Sequence, residues 1–446
     1  MQRILCLLHS LTAASFLVTN TYHGRSPITS NRLYQAGPIP RSPFEITSRD
    51  KVKSGEALAA AAAAAAAMSF SSTANAREDP SGTGKLLQPT APVPVSPDDD
   101  DLDMLMPLGR DAYSNLDGMR CCKLLNGMWQ VSGAHGYQPE RASVIGDMAK
   151  CVNDGYTTFD LADIYGPAEG YVGAFCKGPL ASDLSRNCRF FTKWVPRPQE
   201  ITKAFTTAAI DASLRKMETD RLDLVQFHWW DYDNPYYYDA MSYLMELKQN
   251  EKIRSIGLCN FDTEHMMNLI KQDAPIVSNQ VALSLIDDRP LEKMIPACRE
   301  NNVKLLVYGT LLGGFLSSAW LNQPEPRSES LSNVSLRKYL PWINYWGGWG
   351  LFQELLRVLD LVAKKHRVSL SNVALRWVID QPTVAGAIVG VRFGLKEHLK
   401  ENQRVFSFVL DQDDMASIEA VRRRGTNLSN VFGDCGGEYH SRAGRH

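Results

Sequence analysis

The stretch 222–260, LDLVQFHWWDYDNPYYYDAMSYLMELKQNEKIRSIGLCN, decides how the rest of the chain is read. It opens on an apolar run, LDLVQFH, and closes on a second, IRSIGLCN. Between them, 236–250 carries apolar residues at helical period. Strand, helix, strand in one short stretch is the unit that joins parallel neighbours of a sheet, because a parallel return needs a long crossover.

The same rhythm extends in both directions. TTFD (157–160), RFFTK (189–193), APIVSNQ (274–280), KLLVYG (304–309) and VAGAIVG (384–390) read as further strands, and 199–217, 262–272, 290–301 and 351–366 as amphipathic helices. Unbroken alternation of this kind places the chain in the α/β class. Roughly eight strands at this spacing favour a closed (β/α)8 TIM barrel over a doubly wound sheet. No GxGxxG follows the first strand, which counts against the open dinucleotide-binding alternative.

Composition narrows the function. The chain has 446 residues, 44% of them hydrophobic, and a formal net charge of -1. It has no basic field to attract nucleic acid. Its nine cysteines show neither CxxC pairs nor the dense spacing of a disulfide framework, so they read as buried thiols, with no metal site expected. The second half has no apolar run long enough to span a membrane, and none is expected in the mature protein.

The first part of the chain reads differently. Residues 1–76 have the layout of a targeting presequence: a basic start at Arg3, the apolar ILCLLHSLTAAS, then a segment rich in Ser, Thr, Arg and Pro and nearly free of acid. Joined at Ala14-Ser15-Phe16, these resemble the bipartite presequences of algae with complex plastids, which implies a plastid; a start of the mature chain at Met1 would point to the cytoplasm instead. The alanine run before Ala74-Asn75-Ala76 reads either as a thylakoid-transfer signal or as low-complexity linker. Residues 77–115, with APVPVSP and an acidic run, read as a disordered linker, 116–425 as the barrel and 426–446 as a C-terminal tail.

In an eight-stranded α/β barrel the active site lies at the C-terminal ends of the strands, so polar residues closing apolar runs are site candidates. Here Asp160, Lys193, His228, Asn260, Gln280 and Tyr308 close one run after another. Hydride delivered to a carbonyl carbon leaves charge on oxygen, and a positioned acid must then supply a proton. Tyr165 is the best acid present. Lys193 can lower the cost of ionising the phenol, Asp160 can hold the lysine charged, and His228 can hydrogen-bond the carbonyl oxygen.

The segment DLADIYGPAE (160–169), Lys193 in FFTKW and His228 in LVQFHWW resemble the Asp, Tyr, Lys and His tetrad of the aldo-keto reductases, over about Gly127 to Gly425. The resemblance implies reversible reduction of an aldehyde, ketone or sugar with NADPH, without metal or flavin. It implies that Asn260 and Gln280 hold the nicotinamide carboxamide, with Cys259 where a serine is commoner, and that Tyr308 stacks on the ring. The run Gly309, Thr310, Leu311, Leu312, Gly313, Gly314 resembles the loop over the pyrophosphate. AIVGVRFGLKEHLKENQ (387–403) resembles the adenosine-phosphate segment, with Arg392 toward the 2′-phosphate and Glu401 and Asn402 toward adenine. His398 stands where many members carry arginine, which leaves NADH (NAD+) open as a second cofactor beside NADPH (NADP+).

Trp129, Trp194, Trp229 and Trp230 fall beside the expected rim and read either as substrate-pocket walls or as packing. LRKYLPWINYWGGWG (336–350) reads as a lid, a partner surface or a helical cover. Two other functions remain consistent with the sequence. One is an NADPH-binding redox sensor or scaffold with little turnover; the other is a barrel aldolase or isomerase using Lys193 as a Schiff base. The sequence does not fix the oligomeric state.

Overall fold

The computed structural model describes residues 108–133, 136, 139–178, 185–331, 333–394 and 398–440. The expected presequence, and the linker up to residue 107, lie outside these residues. The fold begins earlier than residue 116: Leu108 and Ala112 are buried, and the Tyr113 hydroxyl donates to Gly155 O at 2.8 Å. Residues 108–115 are thus structured parts of the fold and not linker, because they cover the foot of the barrel.

Strands β1 (Tyr113–Leu116) and β2 (Met119–Cys122) form an antiparallel hairpin. Its turn is Asp117-Gly118, both at positive φ (50° and 74°), the geometry that matches the twist of paired strands. Leu116, Met119 and Cys121 pack with Leu125, Phe191, Leu224, Leu306 and Ala385 to fill one end of the barrel.

Eight parallel strands close the barrel: β3 (Leu124–Gly127), β4 (Thr158–Asp160), β5 (Arg189–Trp194), β6 (Leu222–His228), β7 (Ile253–Cys259), β8 (Ile276–Ala282), β9 (Lys304–Tyr308) and β10 (Val384–Gly390), the last pairing back onto β3. The expected (β/α)8 fold is the observed one. β3 is absent from the runs quoted above because four residues, LLNG, are too few to display a period.

Alternation along each strand sorts side chains between two cores. In β5, Phe190 and Trp194 join the layer between strands and helices, while Phe191 joins the barrel interior. In β6, Val225 and Phe227 face outward and Leu224 inward. The same parity sends Lys193, Gln226 and His228 to the inside.

Four expected helices are observed with trimmed ends, at Lys203–Met217, Tyr237–Gln249, Thr263–Ile270 and Met294–Glu300, whereas the one expected at 351–366 begins earlier, as Gly348–His366. The first starts late because Thr202 caps it, its side chain accepting from Phe205 N. The 336–350 segment is helical: Val334–Trp346 runs to a break at Gly347, beyond which Gly348–His366 begins. Among the described residues, no helix is long and apolar enough to cross a membrane.

Candidate active site

Asp160 ends β4, and its two carboxylate oxygens have different partners. Oδ2 accepts from Lys193 Nζ at 2.6 Å; Oδ1 accepts from Gln226 Nε2 at 2.9 Å and Gln280 Nε2 at 2.7 Å. Lys193 also donates to Leu161 O at 3.0 Å. All four side chains are buried. A buried ion pair is sustainable only when its remaining lone pairs and protons find partners, and here the two amides satisfy the carboxylate.

The loop after β4 brings Tyr165 over this pair. Tyr165 N donates to Ala162 O at 3.0 Å, and the Lys193 ammonium lies 5.0 Å from the phenol ring centroid. Burial pushes the Tyr165 phenol up to about 12, against the pull of the Lys193 charge. Burial also works against the Lys193 ammonium, but Asp160 overrides it and holds the amine above its ordinary value. The phenol is therefore protonated and the lysine charged at neutral pH.

His228 ends β6, buried and stacked on Trp230 with ring centroids 4.3 Å apart. Burial, with the nearby His440 and Lys193, pulls it down to about 3, so it is a neutral imidazole. Its Nε2 is buried with no hydrogen-bond partner. Such an atom costs stability unless something in the cleft completes it, and a carbonyl oxygen would.

The expected cofactor residues at the strand ends converge on the same mouth. Asn260 sits just past β7 at φ 58°, with its Oδ1 accepting from the Tyr308 hydroxyl at 2.8 Å. Gln280 is two residues before the end of β8 and is already tied to Asp160. Cys259 lies buried beside them, its thiol pushed up to about 12 by burial.

The glycine run after β9 has another local explanation. A Cβ on Gly309 would meet the Tyr339 hydroxyl at 2.7 Å, and one on Gly313 would meet Ser335 at 2.8 Å, so these glycines admit the helix Val334–Trp346. Thr310 and Leu312 are buried. Gly314, at φ 114°, is the member of the run that faces open space.

Beyond β10, Arg392, His398 and Asn402 line a cleft of about 50 Å³ with Asp147 and Lys150. Arg392, His398 and Glu401 are exposed, and Glu401 pairs with His398 at 3.3 Å. Residues 395–397 lie outside the described residues.

The four tryptophans separate. Trp230 borders the site through His228. Trp194 is packing: it stacks on Phe227 at 5.3 Å on the outer face of the barrel, because its parity is opposite to that of Lys193. Trp229 is packing too, fully buried, its ring N–H donating to Asp231 O at 2.7 Å and to Asn234 O at 3.1 Å. Trp129 lies half-buried in the turn Met128–Ser132 after β3.

The chain assigned to a C-terminal tail is structured as far as residue 440 and forms one wall of the site. Arg289 is buried against Asp287 and also donates to Glu438 at 2.8 Å; the Lys338 ammonium donates to the Tyr439 hydroxyl at 2.8 Å. Tyr439 stands edge-on to His228 with ring centroids 5.6 Å apart, and His440 Nε2 lies 2.8 Å from Asn260 O. Gly436 has no room for a side chain, since a Cβ would come within 1.9 Å of Asn260 O. Gly436 was the available hint of this close approach; the charged anchors Arg289 and Lys338 gave none. Gln226 was also missed, as a polar residue inside an apolar run.

The sequence profile of the Aldo/keto reductase family matches residues 123–423. Among relatives, the aldo-keto reductase YhdN of Bacillus subtilis is 26% identical over 71% of this chain and 93% of its own. The methylglyoxal reductase DkgA of Yersinia pestis is 28% identical over 71% of this chain and 95% of its own. An aldo/keto reductase from Klebsiella pneumoniae, solved in complex with NADP and acetate, shares the fold with a TM-score of 0.53 at 21% identity, covering 70% of this chain and 95% of that one. A profile spanning the whole barrel, on a closed eight-stranded fold with these strand-end residues, places the chain in the aldo/keto reductase family.

Proposed function

We propose that this protein is an NADPH-dependent reductase that acts reversibly on the carbonyl of an aldehyde, ketone or sugar, with Tyr165 as the general acid. The observation that carries the reading is the buried Asp160–Lys193 pair beneath the Tyr165 ring, beside a neutral His228 whose Nε2 has no partner. The NADP bound in the Klebsiella relative and the name of the Yersinia reductase support the same reading.

When bound, the reduced nicotinamide supplies the hydride. The chain's residues fit that group: Gln280 and Asn260 offer amides at the mouth, and Tyr308 offers a ring. His228 donates from Nε2 to the carbonyl oxygen and orients it. Tyr165 gives its proton to that oxygen, Lys193 offsets the charge left on the phenolate, and Asp160 keeps the lysine protonated. In the oxidative direction Tyr165 must first lose its proton, so oxidation gains with rising pH as the phenol approaches its value of about 12.

Purified protein should quench NADPH fluorescence on binding and oxidise NADPH with small aldehydes, and Tyr165→Phe should lower kcat by about 10³-fold without changing NADPH affinity. An unchanged rate in the variant would remove Tyr165 from its role. One feature favours a second reading, a binder with little turnover: the C-terminal wall puts Tyr439 against His228 and Glu438 on Tyr308. Oxidation of bound NADPH in a single slow turnover, with no steady-state rate on any carbonyl, would select it. For residues 1–76 we propose plastid targeting, and N-terminal sequencing of native protein showing a start at Met1 would end that reading.

A further inference from the structure

Gln226 is buried and contacts neither the Tyr165 ring nor His228 in any hydrogen bond, yet it sits at the centre of the polar network. Gln280 Nε2 carries two protons. One goes to Asp160 Oδ1 at 2.7 Å and the other to Gln226 Oε1 at 2.6 Å. Gln226 returns its own Nε2 to Asp160 Oδ1 at 2.9 Å. Turning the Gln280 amide over would set its oxygen against a carboxylate and an amide oxygen, with three acceptors and no proton between them.

The sense of Gln280 is therefore fixed, and the group it has left to offer is its oxygen, an acceptor. Asn260 is not held this way: its Oδ1 lies 2.8 Å from the Tyr308 hydroxyl, but Glu438 Oε1 shares that one hydroxyl proton at 3.3 Å. An acceptor of fixed sense at the mouth reads a primary carboxamide by its NH₂, turned toward Gln280.

We infer that Gln226 is a positioning residue that sets how a nicotinamide carboxamide is held, by locking the Gln280 amide. This rests on the cofactor reading proposed above. The test is a binding measurement, competition against NADPH fluorescence by NADP+ and by its 3-acetylpyridine analogue. The analogue keeps the carbonyl but has a methyl group in place of the NH₂.

The unaltered protein should prefer NADP+ by about tenfold, the worth of one good hydrogen bond. In Gln226→Met the Gln280 amide keeps only its bond to Asp160 and can pivot about it, carrying its oxygen off the carboxamide NH₂, and the preference should fall to about twofold. Gln226→Glu, with its new carboxyl protonated at acidic pH, keeps both the donor to Asp160 and the acceptor for Gln280, so the preference should be retained there. A general packing defect would weaken both ligands together and leave their ratio unmoved.

The inference fails if the methionine variant keeps the full preference, if the glutamate variant loses as much as the methionine variant, or if the unaltered protein has no preference. Binding needs no turnover, so a protein that binds with the expected ratios but reduces no carbonyl would overturn the proposed activity and leave this assignment standing. Absence of any NADPH binding would remove both.

Discussion

The polar network at the barrel mouth and the segment beyond β10 both carry charged residues assigned to one reaction, but they hold them in opposite ways. Asp160, Lys193, Gln226 and Gln280 are buried and already bonded to one another, whereas Arg392, His398 and Glu401 are exposed. A charge withdrawn from water must be paired within the fold, and once paired it is rigid and screened little by salt. An exposed charge costs the fold little to keep and leaves its binding energy for a ligand. The barrel mouth is thus ordered before any ligand arrives, while the outer segment keeps its charges accessible to one.

The largest effect should come from breaking the buried side. Lys193→Met removes the cation that eases proton loss from Tyr165 and leaves Asp160 a buried carboxylate held by amides alone. Carbonyl reduction should fall by about 10³-fold or more, and stability by about 3–5 kcal/mol. Steady-state kinetics with a parallel thermal melt would check both, and a loss of less than about tenfold in rate would mean that the network is not the catalytic unit.

On the exposed side, if Arg392 meets the 2′-phosphate as the family resemblance implies, Arg392→Ala should weaken NADPH by about tenfold and leave NADH nearly unchanged. The NADPH affinity of the unaltered protein should also fall with added salt, as exposed pairs do. Equal losses for the two cofactors would move Arg392 away from the phosphate.

The smallest effect tests the boundary between the two regimes. Asp163, in the loop that carries Tyr165, has one carboxylate oxygen bound to Val195 N and the other buried without a partner; burial pushes its carboxyl up to about 6. Because the folded value lies above the unfolded one, the ionised form opposes folding, so this group's contribution to stability is greatest at acidic pH and is lost as pH rises through 6. Asp163→Asn should therefore stabilise the protein by about 1 kcal/mol at neutral pH, with the gain vanishing near pH 4, the ordinary carboxylate range. Melting curves across that range would show it, and a gain that persists in acid would contradict the sign.

Much of the site was legible in the sequence. A polar residue ending an apolar strand run marks the mouth of a barrel whatever the surrounding helices do, which is how Asp160, Lys193, His228, Asn260 and Tyr308 were found. Five of the helices were legible to within a few residues because their apolar stripes are regular, while Arg141–Asn153, Ala168–Lys177, Leu370–Ile379 and Gln412–Arg422 were not read from the sequence. Gln226 was not legible, since a buried glutamine inside LDLVQFH reads as an interruption until its partners on β4 and β8 are in place. Trp194 and Trp229 went the other way: nearness in sequence to Lys193 and His228 suggested the pocket, and the alternation of the strand turned them outward or into the packing.

The sequence by itself determined the class of fold and the tetrad, because both rest on local signals: the period of apolar residues and the residue type at each strand end. The tertiary structure alone decided which acceptors and donors remain free at the mouth, and that the last described residues, Asp434 to His440, come back to wall it. Those depend on pairs far apart in the chain, Gln280 with Asp160, Arg289 with Glu438 and Lys338 with Tyr439, whose partnership no spacing along the sequence records.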